Sequence, residues 1–67
     1  MIDIFTNLKI EMVRIDIKQR HLARLLNISV QAMNYKMTCK VEFRLEEMEA
    51  IRDYYFKDLT LDYLFKK

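Results

Sequence analysis

Residues 18–37, KQRHLARLLNISVQAMNYKM, decide how the rest of the chain is read. Leu22, Ala23 and Leu26 fall on one side of a helical wheel, while Lys18, Arg20, His21 and Arg24 fall largely elsewhere. That is the pattern of a helix with one apolar face, predicted over 18–26. Asn27 follows, and after glycine asparagine best tolerates the left-handed conformation that ends a helix. Ser29 is a favoured N-cap for a helix that begins at Val30. Met33 and Met37 then share a buried side at i, i+4, whereas Gln31 and Tyr35 repeat on a different side with Ala32 and Lys36 beyond them. The spacing predicts a second helix over 30–37, joined to the first by a short, tight turn.

Outward from this pair, Phe5, Leu8, Met12 and Ile15 mark an amphipathic helix over about 4–14, with Thr6 or Asp3 as its cap. Alternating β-branched residues and Asp16 predict a break at 15–17. On the other side, a connector over 38–44 carries Lys40 near its tip and Phe43 as an anchor into the core. Leu45, Met48, Ile51 and Tyr55 mark a fourth helix, whose outer face holds Glu46, Glu49 and Asp53. Acids in its first turn suit the helix dipole. Thr60 is placed to cap a short last helix through Leu61, Leu64 and Phe65. The expected fold is all-α: five helices in one domain spanning 1–67.

Composition agrees and excludes much else. The chain has 67 residues and neither glycine nor proline. Glycine-rich phosphate loops, the nucleophile elbow and PxxP ligands are therefore absent, and hairpin turns are disfavoured. At this length a chain buries only about 60% of its unfolded surface, so a hydrophobic content of 52% is what folding without staples requires. One cysteine, Cys39, and one histidine, His21, make neither a disulfide nor a tetrahedral zinc site. No metal, cofactor or small-molecule ligand is expected. Asp3 interrupts any signal-peptide core, and the longest uncharged run, residues 25–35, is eleven residues and partly polar. A cytoplasmic setting without a membrane partner is expected.

Net charge is only +2, but residues 1–40 carry seven bases against three acids, and residues 41–67 carry five against seven. Between 17 and 40 there are five bases and no acid. A basic stretch inside a near-neutral chain points to a local anionic partner.

The array Gln19-x-x-Leu22-Ala23-x-x-x-Asn27-Ile28-Ser29-x-x-x-Met33-x-x-x-Met37 resembles the helix-turn-helix of the Cro/repressor type, the lambda-repressor-like family of five-helix DNA-binding domains. The likeness continues through residues 37–43 (MTCKVEF) and 56–65 (FKDLTLDYLF), covering about 7–65. It implies a transcriptional regulator, a repressor or Cro-like switch, that reads double-stranded DNA with the helix over 30–37 in the major groove. Carried over position by position, Val30, Gln31 and Tyr35 meet base edges. Gln19, Ser29, Asn34 and Lys40 hold the DNA backbone, with Lys18, Arg20 and Lys36 as further phosphate contacts. The chemistry suits these roles: glutamine reads adenine bidentately and valine packs on a thymine methyl.

The same resemblance, and the few contacts one small domain makes, imply a homodimer on a pseudo-palindromic operator with half-sites about 34 Å apart. The apolar end, Tyr63, Leu64 and Phe65, is the expected dimer surface. Three departures stand out. The family usually places glycine at Asn27 and Cys39 and a Ser or Thr cap at Arg44. Asparagine suits the first position, whereas a cysteine predicts a reshaped loop at the second.

Other residues take plainer readings. His21 is expected as an exposed structural side chain, Cys39 as a turn residue with an incidental thiol, Glu46, Glu47 and Glu49 as a solvated face, and the methionines as packing. No nucleophile–base pair supports an enzyme. The rival function is a protein-interaction module, an antitoxin-like or anti-repressor subunit on the same fold.

Overall fold

The computed structural model describes residues 4–67, and the regular elements among them are five helices. These are α1 (Thr6–Arg14), α2 (Gln19–Leu26), α3 (Val30–Met37), α4 (Leu45–Tyr55) and α5 (Leu61–Leu64). The described chain is all-helical. α2 packs on both α3 and α4, and α5 packs on α1 and α4. Leu8, Leu22, Met33, Ile51 and Leu64, one from each helix, are completely buried. Among the described residues, no helix is long and apolar enough to cross a membrane.

Three consecutive helices stop in the same way, and none uses glycine. Past α1, Asp16 N–H donates to Val13 O (3.1 Å) and Ile17 N–H to Met12 O (3.0 Å). Past α2, Asn27 donates to Arg24 O (3.1 Å) and Ile28 to Ala23 O (2.9 Å). Past α3, Cys39 donates to Lys36 O (3.2 Å) and Lys40 to Tyr35 O (2.9 Å). Each pair is the crossed Schellman closure, which satisfies carbonyls that the helix leaves unpaired and needs one left-handed residue. Asp16, Asn27 and Cys39 supply it, with φ of 56°, 57° and 63°. Asp and Asn are the side chains most often found there.

Cys39 is the correction. Its loop is not reshaped around the missing glycine, because the cysteine itself adopts the glycine conformation, at a cost of roughly 1–2 kcal/mol. A further bond from Val41 N–H to Tyr35 O (3.2 Å) and packing of Cys39 against the core hold it there.

The helix starts are equally local. Ser29 Oγ accepts from Ala32 N–H (3.0 Å) and Thr60 Oγ1 from Tyr63 N–H (3.1 Å), each capping its helix as expected. At α4, Arg44 offers no capping side chain, but Glu47 Oε1 reaches back to Arg44 N–H (2.9 Å). This is the second half of a capping box. α1 begins at Thr6 rather than residue 4, and the position before it is Phe5, left-handed at φ 57° without a side-chain cap bond. The alternative cap, Asp3, lies outside the described residues.

The C-terminal segment overturns one expectation. Tyr63, Leu64 and Phe65 do not form a free apolar end. Leu64 is fully buried, and Phe65 meets Phe43 and Phe5 edge-on, with ring centroids 5.1 and 6.1 Å apart. Phe5 and Phe43 close the trio at 5.4 Å. The Tyr63 hydroxyl donates to Glu11 Oε2 (2.8 Å), and that bond to a carboxylate raises the phenol pKa above its ordinary 10.0. The reason is size: so short a chain recruits Leu64 and Phe65 into the one core it can build, while Tyr63 stays 37% exposed.

Candidate nucleic-acid interface

The two sides of α3 are chemically opposite. Met33, Lys36 and Met37 lie at i, i+3 and i+4 and are buried. Val30, Gln31 and Asn34 are exposed, Val30 at 53%, and Tyr35 is half-buried. The predicted base-reading residues therefore share the outward side. They are also tied to one another: Gln31 Nε2 donates to the Tyr35 hydroxyl (2.9 Å). From the following loop, Lys40 Nζ stands 5.4 Å from the Tyr35 ring centroid, within cation–π range. The Schellman closure after α3 places Lys40, since its backbone N–H is bound to Tyr35 O. Cys39, which completes that closure, thus positions a cation beside Tyr35.

The expected backbone-contacting residues divide. Ser29 sits at the α3 N-terminus, its oxygen accepting from Ala32 and its hydroxyl hydrogen left to donate. Gln19 is the first residue of α2 and half-buried; Lys18 and Arg20 flank it and are exposed. Asn34 is exposed and its carbonyl accepts from the Thr38 hydroxyl (2.9 Å). Among the described residues, no ion pair engages Lys18, Arg20, Arg24 or Lys40.

Lys36 does not belong in the phosphate set. Its Nζ lies 2.9 Å from Glu47 Oε1, and the two side chains are only 10% and 16% exposed. The same amine reaches Glu42 O (3.5 Å). Helical spacing explains this, because Lys36 follows Met33 by three residues, which places it toward the inward side. Its partner corrects a second expectation: Glu47 is not part of a solvated face. Burial pushes its carboxyl up, but the Arg44 N–H, the hydrogen bond and charge of Lys36, and the charge of Arg44 outweigh that. They hold it below its ordinary 4.5.

Compared with known protein families, curated proteins and solved structures, the chain matches none.

One contributor to the site escaped the sequence reading. His21 is a working cap, its Nδ1 accepting from Lys18 N–H (2.8 Å) at the start of α2. The signal was its place three residues after the cap position, where Glu or Gln ordinarily serves. By fixing Lys18, His21 also fixes where one exposed ammonium leaves the helix.

Proposed function

We propose that the chain is a sequence-specific DNA-binding regulator of the lambda-repressor-like type, with α2 and α3 as its helix-turn-helix and α3 as the reading helix. The observation that supports this most is the outward side of α3. Val30, Gln31 and Tyr35 stand together there, and exposed Lys18, Arg20 and Lys40 are without carboxylate partners among the described residues. Lys40 stands beside Tyr35, and major-groove recognition uses such cations for affinity and register and the polar and apolar side chains for sequence.

In this reading Gln19 and Ser29, at the N-termini of α2 and α3, take phosphates from the two sides of the groove. Lys40 takes a third. Two copies act together on a pseudo-palindrome, and regulation is steric, by occupying DNA that polymerase needs. With Lys18, Arg20 and Lys40 neutralising about three phosphates per copy, log K falls against log salt with a slope near −5.

The test is a mobility shift on the promoter DNA beside the chain's own gene, comparing wild type with the double variant Gln31→Ala, Tyr35→Ala. Loss of two contacts to bases, each worth about 1–3 kcal/mol, predicts a drop of at least about tenfold in affinity with the salt slope retained. Undiminished binding by the double variant excludes α3 as the reading helix. A slope near zero removes the electrostatic support.

A further inference from the structure

The Gln31–Tyr35 hydrogen bond carries a consequence for which base is read. A glutamine amide has two N–H donors and one carbonyl acceptor, so unconstrained it can face either purine. Turned one way it offers N–H and C=O, the complement of adenine N7 and N6. Turned the other way it offers both N–H groups, the complement of guanine N7 and O6. Here one N–H is given to the Tyr35 hydroxyl at 2.9 Å. What remains is one N–H and a free Oε1, the adenine complement. Tyr35 is itself held on two sides, half-buried in the surface and faced by Lys40 Nζ at 5.4 Å from its ring. Having accepted from Gln31, its hydroxyl has a hydrogen left to donate outward.

We propose that Tyr35 is a specificity-determining positioning residue, which holds the Gln31 amide in the orientation that selects adenine against guanine. The inference rests on α3 being the reading helix. Beside any contact of its own with a base edge, Tyr35 acts through Gln31.

Selection from a randomised duplex pool gives the preferred site of the wild-type chain. Titrations then compare that duplex with versions carrying guanine or 7-deazaadenine at the selected adenine, for wild type, Tyr35→Phe and Gln31→Ala. Wild type is expected to favour adenine over guanine by roughly 5- to 150-fold and to lose affinity with 7-deazaadenine, which lacks N7. Tyr35→Phe keeps the ring but not the hydroxyl. It is expected to shrink the adenine preference at least threefold while leaving the salt slope unchanged. Gln31→Ala abolishes the preference.

An unaltered adenine preference in Tyr35→Phe overturns the proposal while leaving the DNA-binding reading intact. So does an equal loss on every duplex, which marks a phosphate contact, or a wild-type preference for guanine. Failure of wild type to select any sequence removes the DNA reading itself. A readout in the free protein separates the two cases. The separation of the two Gln31 side-chain amide protons by NMR is expected to differ from that of a free glutamine in wild type and to return to it in Tyr35→Phe; if the separation is the same in both, the hydrogen bond does no orienting.

Discussion

Lys36 and Lys40 are four residues apart and carry the same charge, yet they belong to different parts of the molecule. Lys36 lies on the inward side of α3, nearly buried and paired with Glu47 on α4. Lys40 lies in the loop after α3, exposed and set over Tyr35. The inward side, with Met33 and Met37, is built to fix α3 in place. The outward side, with Val30, Gln31, Asn34 and Tyr35, is largely open to solvent. The contrast teaches that a basic stretch read along the chain overstates the charge the surface presents. One of its five bases is internal structure.

The contrast can be broken most severely from the inside. Met33 is fully buried, and Met33→Ala leaves a cavity that costs about 2–5 kcal/mol. A domain of this size has a total stability of roughly 3–10 kcal/mol. Thermal unfolding is therefore expected to fall by at least about 8 °C, measured by circular dichroism. A loss below about 2 °C would mean that α3 is not anchored through this side.

A smaller effect sharpens the electrostatic half of the comparison. Lys36→Met removes the partner of a carboxylate that is only 16% exposed. The expected loss is about 1–2 kcal/mol, between that of an exposed and of a buried pair. The folded-state pKa of Glu47 is depressed, so the stability it contributes is present above the ordinary 4.5 and is lost as pH falls through the lower folded value. The gap between wild type and Lys36→Met is therefore widest near neutral pH and narrows in acid, as denaturant titrations at several pH values will show. A gap that is constant with pH would mean that the charge of Glu47 has no share in what Lys36 contributes.

Much of this fold is legible in the residues. The turn at Asn27, the caps at Ser29 and Thr60 and the buried pair Met33 and Met37 follow from local chemistry and period, and all are present. What escaped are choices made between distant segments. That Glu47 turns inward to Lys36, that Tyr63 bonds Glu11 and that Phe65 packs on the core depends on how α4 and α5 dock, which no local pattern encodes. The inward place of Lys36 was legible from its spacing to Met33, but its charge argued the other way. Cys39 shows a third kind of miss: its intrinsic preference is outvoted by the three backbone bonds that close α3.

The most direct test of the outward side as a DNA-contacting surface is an amide chemical-shift titration of the chain with a mixed-sequence duplex at low salt. Non-specific binding through phosphates is strong enough to observe under these conditions. The largest shifts are expected on Gln19, Ser29, Val30, Gln31, Tyr35 and Lys40, with α5 and the buried side of α4 nearly unmoved. Shifts centred on α4 and α5, or none at all, would contradict a DNA-contacting outward side.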